Sequence, residues 1–364
     1  MDLEEKTQKA ALGFLFGMGA IRISALLSKL DDVSEVFTLS LKALKSKTGI
    51  AEKQLASMER EKALRLAIHE MQACEKLGIE PLFFLDEKYP RRLLQCADAP
   101  VVIYVKGPLD LNERRVVSIV GTRKNTDYAN EIIQSFTEEI KQPGLIIVSG
   151  LALGVDTLVH KSALKNNIPT LGVLGNGLNK IYPSRNTSLA REMIDQGGAL
   201  LSEYPVDSLP NREHFPMRNR IVAGMADAVV VVESQEKGGS IITAELANDY
   251  NRDVFAFPGS VRQMYSSGCN MLIRRQKAHL ITNASEFLTL MNWADAPKPL
   301  QKSLAIEYSP EEKEIVDCLS KYECLHLDQM VQKIGFSPSK IQALTFSLLL
   351  KNGIVSLPGN RYSI

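Results

Sequence analysis

The spacing of apolar positions changes twice along this chain. Over residues 1–78 they recur at helical intervals, with Leu12, Leu15, Leu26, Leu27 and Leu30 on repeating turns. Gly17 and Gly19 interrupt that pattern inside FLFGMGAIRISALLSKL. Two helices joined by a Gly-x-Gly turn suit either a helix-hairpin-helix, whose amides can hold a DNA backbone, or a plain helical turn. From Ile79 the pattern becomes a series of short continuous apolar runs: PLFFL, VVIYV, VVSIV, LIIVS, TLGVL, ALLS, AVVVV and VFAF. From VVSIV onward most runs lead into a Gly-containing loop and a helical stretch. Continuous apolar strands alternating with helices predict a mostly parallel sheet covered on both faces. The expected fold over 79–291 is therefore a doubly wound, Rossmann-like α/β domain, preceded by a helical domain over 1–78.

A polar stretch with Pro297 and Pro299 predicts a linker over 292–309. Beyond it, helical patterns at 311–320, 325–334 and 338–351 run into IVSLPGNRYSI, two short strand-like pieces around a turn. Three helices and a hairpin predict a winged helix over 310–364.

Composition narrows the function. The chain has 364 residues, 45% hydrophobic and 23% charged, with a net charge of +1, so a nucleic-acid site must come from local clusters of Arg and Lys. The five cysteines contain no Cys-x-x-Cys pair, which supports neither a disulfide framework nor a zinc site. There is no long apolar leader and no run of about 18 apolar residues, so a cytoplasmic protein without a membrane span is expected. The winged-helix segment balances six basic against six acidic residues, but from Gln329 onward it carries Lys333, Lys340, Lys351 and Arg361 and no acid. Those four are candidate DNA-backbone contacts. Protein docking is the other reading, because 338–351 is otherwise mostly apolar.

In an open parallel sheet, ligands bind outside the carboxyl ends of the strands, where helix N-termini present free N–H groups. After VVSIV comes Gly121-Thr122-Arg123-Lys124, in which Gly121 permits close approach, Thr122 can donate a hydroxyl and Arg123 can fork onto a phosphate. Gly150 to Gly154 follows LIIVS; Gly175 to Lys180 follows TLGVL; Phe215 to Arg220 precedes AVVVV; Lys237, Gly238, Gly239, Ser240 and Thr243 follow it. Ser240 is a candidate cap for the next helix. Candidate phosphate ligands are thus Gly121, Thr122, Arg123, Gly150, Lys180, Arg218, Asn219, Arg220, Lys237, Gly239, Ser240 and Thr243. Tyr182 and Phe215 are candidates for stacking a base, with core packing the other reading of Phe215. Acidic Glu203, Glu213 and Glu233 fall at the same edge. Asp156 and His160, one helical turn apart, are placed to meet. No P-loop is present, and no Gly-x-Gly-x-x-Gly follows the first strand of the series.

Together these motifs closely resemble the DNA-processing protein A family (DprA, also called Smf). The matching pieces are SIVGTRKNTDYAN, VSGLALGVDTLVHKSAL, GALLSEYP, HFPMRNRIVAG, GGSIITAELA, FAFPGS and SGCNMLI, in the family's order over about 115–275. The helical start resembles the family's sterile-alpha-motif-like domain and the end resembles its winged helix. The resemblance implies a protein that binds single-stranded DNA without sequence preference, protects incoming strands and loads the RecA recombinase during natural transformation. It further implies a homodimer through the Rossmann-like domain, no catalysis and no cofactor. In the family, the counterparts of Arg123, Arg218-Asn219-Arg220 and Gly238-Gly239-Ser240 line a phosphate pocket. Two departures stand out: Gly238-Gly239-Ser240 replaces Ser-Gly-Ser, and Gln276-Lys277-Ala278 replaces a Gly-Ala turn. An enzyme alternative is the LONELY GUY type of nucleotide phosphoribohydrolase, whose Pro-Gly-Gly-x-Gly-Thr-x-x-Glu motif keeps its Gly-to-Glu spacing here, at Gly238 and Glu245. Lys237 replaces its Pro, and Ile241 and Ile242 replace its last Gly and its Thr.

Overall fold

The computed structural model describes residues 3–294, 308–322, 325–351, 353–357 and 361–363. Most of the 292–309 linker and the LPGN turn lie outside them. Met1–Trp293 and Ala294–Ile364 form two compact units.

In the first unit all eight apolar runs become strands. They are β1 (Glu80–Phe83), β2 (Val102–Lys106), β3 (Arg115–Val120), β4 (Leu145–Ser149), β5 (Thr170–Leu174), β6 (Ala199–Ser202), β7 (Ala228–Val231) and β8 (Asp253–Ala256), joined by a two-residue β9 (His279–Leu280). They make one sheet in the order β1-β2-β6-β5-β4-β3-β7-β8-β9. Every pairing from β6 to β9 is parallel; β1–β2 and β2–β6 are antiparallel. Every residue of β4, β5 and β7 is buried, because helices cover both faces. The helices Asp127–Glu139, Val155–Lys165 and Ala284–Leu290 contribute Phe136, Val159 and Phe287 to the core of one face.

The N-terminal helices share the core of the other face: Leu12, Ile23, Leu26, Leu44 and Leu55 are buried in one cluster with Val102, Ile103 and Tyr104. Between the helices Leu3–Leu12 and Ala20–Leu27, Gly17 takes the left-handed conformation at φ 71° and Arg22 Nη1 donates to its carbonyl at 2.8 Å. The Gly-x-Gly segment is thus a turn whose Gly17 carbonyl is held by the Arg22 side chain of the following helix. Among the described residues no helix is long and apolar enough to cross a membrane.

The second unit has helices Pro310–Leu319, Leu327–Ile334 and Pro338–Leu350 with a three-stranded sheet, β10 (Leu325–His326), β12 (Arg361–Ser363) and β11 (Val355–Leu357). Ile315, Leu319, Met330, Ile341 and Leu348 fill its core. Ser309 and Glu312 form a capping box on the first helix. The Glu312 carboxylate also accepts from Ser347 Oγ (2.7 Å) and Lys351 Nζ (2.6 Å), across to the third helix. Those bonds, Lys351 first, hold the Glu312 pKa at about 2, below its ordinary value near 4.5. A depressed carboxylate stabilises the fold fully above about pH 4.5 and ceases to as pH falls toward 2. Melting curves of Glu312→Gln against the parent protein should therefore differ most at pH 7, and the difference should narrow below pH 4.5.

Candidate nucleic-acid interface

The chain runs outward from β3 to β6 and then returns to place β7 on the other side of β3, so the order reverses between β3 and β7. The loops leaving these two strands cannot close over one another, and a crevice opens between them. Its walls are bonded together. Thr122 N donates to Glu233 O at 2.7 Å, and the Glu233 carboxylate accepts from Thr126 N (3.0 Å) and Thr126 Oγ1 (2.6 Å). Glu233 is thereby a buried brace between the loops rather than an acidic lip. The loop after β3 also lies against the start of the Val155–Lys165 helix: Val155 N donates to Thr122 O at 3.1 Å. Gly154, at φ 84° and ψ −131°, makes that approach possible.

The crevice holds a cavity of about 490 Å³. Gly121 to Lys124 line one side, Gly150, Ala152 and Asp156 the floor, Arg218 and Asn219 another wall, and Ser234, Gln235, Gly238, Gly239, Ser240, Thr243 and Tyr265 the β7 side. Nine of the twelve predicted phosphate ligands therefore converge there. Gly238 precedes the Gly239–Asp249 helix in extended conformation, so the first N–H groups of that helix face the same crevice end.

The three others do not reach it. Arg220 is the main correction. It sits two residues beyond Arg218 on the helix His214–Gly224, about 200° around the axis, and so faces the opposite side. There it donates to Asp98 O at 2.5 Å and pairs with the Glu203 carboxylate, against a separate cavity of about 520 Å³. Lys180 is exposed away from the crevice lining, and its carbonyl accepts from Asn176 Nδ2 at 2.7 Å. Lys237 is exposed on the loop after β7, outside the cavity lining. Ser240 lies inside the helix rather than capping it; its hydroxyl donates to Ser234 Oγ at 2.7 Å.

The two arginines of the crevice differ. Arg123 is exposed, and among the described residues it has no ion pair. Its guanidinium lies 5.6 Å from the Phe215 ring centroid, and Phe215 in turn lies 5.5 Å from Tyr182 at 33°. A cation, a half-buried ring and a ring that is 49% exposed thus form a short ladder that starts at Arg123 on the cavity lining, though neither ring lines the cavity itself. Arg218 is only 5% exposed, and its Nη1 donates to the carbonyls of Gly150 and Val173, clamping the ends of β4 and β5. Its Nε is buried without a partner among the described residues.

Asp156, which the sequence pattern does not place at the site, lines the cavity. Its carboxylate accepts from Ala152 N at 3.2 Å and interacts with Arg218. Burial pushes its pKa up and the Arg218 charge pulls it back. It does not bond His160, whose Nδ1 lies 2.7 Å from Thr170 Oγ1 and whose pKa burial lowers to about 3. Glu245 pairs with Lys277 at 3.0 Å and is not among the cavity-lining residues. At the second sequence departure, Gln276 itself takes the left-handed turn position (φ 56°), and Lys277 turns to Glu245.

In the winged helix, Lys333 Nζ lies over the Tyr322 ring at 4.4 Å, Lys340 pairs with Glu311 at 2.6 Å and Lys351 with Glu312. These three cations are engaged within their own unit. The side chain of Arg361 lies outside the described residues.

The family described as DNA recombination-mediator protein A matches residues 80–292, and the DprA winged helix domain matches 295–360. Protein Smf of Escherichia coli is 35% identical over 283 residues, 75% of this chain and 74% of its own length. DNA processing protein DprA of Bacillus subtilis is 40% identical over 215 residues, 59% of this chain and 72% of its own. The crystal structure of DNA processing protein A from Streptococcus pneumoniae superposes with a TM-score of 0.65 at 31% identity, covering 79% of this chain and 98% of that one. The Helicobacter pylori protein, described for its single-stranded DNA binding mode, gives 0.53 at 31% identity over 59% of this chain and 96% of its own. With matching sequence over the sheet, a matching winged helix and a matching solved fold, the chain belongs to the DNA-processing protein A (DprA/Smf) family.

Proposed function

We propose that this chain binds single-stranded DNA without sequence preference, holding backbone phosphates at the β3/β7 crevice and bases on the neighbouring rings. The observation that carries this reading is Arg123: exposed, unpaired among the described residues, poised between the mouth of the cavity and the Phe215–Tyr182 pair. A guanidinium beside stacked rings suits a strand whose phosphates and bases alternate. Asn219, Gly239 and Thr243 complete the backbone contacts from the opposite wall. The relative from Helicobacter pylori supports the ligand class.

Within this reading the protein protects incoming strands and delivers them to the RecA recombinase in transformation, acting as a homodimer through the Rossmann-like domain. Pull-down of RecA and the sedimentation of the purified protein test those two partners. DNA binding is tested by gel shift with single- and double-stranded oligonucleotides across salt. Tighter binding to single strands is expected, with log affinity falling linearly on log salt by about 0.7 per phosphate neutralised. Equal, salt-insensitive binding to both forms would reject the reading. The phosphoribohydrolase alternative rests on Glu245, which pairs with Lys277 away from the cavity lining. No adenine release from AMP is expected.

A further inference from the structure

The loop after β4, Gly150 to Gly154, opens the Val155–Lys165 helix and has the form of an anion cradle. Its space is already taken. The Asp156 carboxylate accepts from Ala152 N, where an incoming oxyanion would sit, and Asp156 lines the cavity while only 8% exposed. Arg218 beside it is spent on two strand-end carbonyls through Nη1 and keeps one buried Nε without a partner among the described residues. The floor is therefore one carboxylate and one guanidinium with no net charge, and the net positive charge lies at the rim, on Arg123 and Lys124.

An anion in this cavity is drawn to the rim and meets a carboxylate below. A phosphodiester carries a single charge. A phosphomonoester acquires a second one with a pKa of about 6. Repulsion between that second charge and a buried carboxylate is much stronger than in water, and the balancing Arg218 guanidinium is fixed on the carbonyls of Gly150 and Val173 rather than turned to an incoming anion. We propose that Asp156 is a specificity-determining residue that makes the cavity accept the internal phosphodiesters of a strand and reject terminal phosphomonoesters and free mononucleotides. The inference rests on the single-stranded DNA reading above.

The groups around Asp156 leave the discrimination legible against pH. Arg218 faces it from the His214–Gly224 helix, with Arg123 and Tyr204 interacting electrostatically with Arg218 in turn. His160, one turn along its own helix, is held neutral by burial. Ser240 and Thr243 on the Gly239–Asp249 helix carry no charge, and Lys124 lies at the rim. Between pH 5.5 and 8 the changes are the second ionisation of a monoester and any remaining ionisation of Asp156, and both increase repulsion as pH rises.

The test uses the full chain and a fluorescent oligothymidylate without terminal phosphates, followed by anisotropy. The competitors are thymidine 5′-monophosphate and its methyl ester, a diester of the same nucleoside. The two should compete alike at pH 5.5, and the monophosphate should be about tenfold weaker at pH 8. In Asp156→Asn, checked for folding by circular dichroism and for oligonucleotide binding, the gap at pH 8 should close. The wild-type comparison needs no variant, so it stands even if that substitution loosens the loop. Equal competition at pH 8 by wild type that binds the oligonucleotide would overturn the inference and leave the DNA reading intact. A folded, binding Asp156→Asn that keeps the gap would overturn the role of Asp156. Failure of wild type to bind the oligonucleotide at all would overturn the DNA reading, and this inference with it.

Discussion

Arg123→Ala should weaken the proposed single-stranded DNA binding by about tenfold or more and leave the melting temperature unchanged. The first half follows from loss of a phosphate-forking cation and of its contact with Phe215, each about 1 kcal/mol, where about 1.4 kcal/mol is tenfold. The second half follows from exposure: the guanidinium has no ion pair among the described residues and buries little surface. The two are read separately, by anisotropy titration and by thermal unfolding. The salt dependence should fall by about 0.7 in slope, the share of one phosphate on a single strand. Unchanged affinity and unchanged slope would remove Arg123 from the interface and the crevice from the function.

The largest effect on the fold is expected at Gly154. Its φ of 84° and ψ of −131° form a conformation essentially reserved for glycine. A Cβ there would stand 2.4 Å from Thr122 O and 2.6 Å from the backbone of Arg123. Those are main-chain atoms of a loop braced on Glu233, so they cannot move aside cheaply. Gly154→Ala should cost about 2–3 kcal/mol or more and lower the melting temperature by about 5–10 °C. It should also weaken DNA binding, because the displaced segment carries Thr122 and Arg123. Gly17→Ala is the control. Gly17 also has positive φ, but nothing lies within 4 Å of its added Cβ, so about 1 kcal/mol is expected and no binding defect. Equal melting of the Gly154 and Gly17 variants would contradict the close approach of the two loops.

Much of this architecture was legible because strands buried on both faces must be apolar throughout. VVSIV, LIIVS and AVVVV announce β3, β4 and β7, and a glycine-containing loop follows each. Strand direction was not legible. PLFFL and VVIYV look like the other runs, yet β1 and β2 pair antiparallel, since an apolar run reads the same in either direction. The two-residue β9 is too short to leave a pattern.

The site divides in the same way. Gly121, Thr122 and Arg123 could be placed at one edge because they directly follow the end of β3, and a strand end fixes a position in the fold; Gly239 and Thr243 fall in the first turns of the helix after β7. Arg218 and Arg220 could not be separated from a tripeptide of equal charges. Only the helix, turning about 100° per residue between two covered sides, sends one to the crevice floor and the other to Glu203. Phe215 and Tyr182 lie 33 positions apart in sequence, and the ladder they form with Arg123 exists only once two loops and a helix meet. Asp156 is an ordinary first-turn helix acid in sequence, and Arg218, supplied by a distant helix, makes it part of a charge-balanced floor. The sequence by itself determined which segments are strands and which residues stand at their ends, because burial and backbone freedom act locally. The tertiary structure alone decided which charges face the ligand and which face each other, because that depends on helix rotation and on partners remote in the chain.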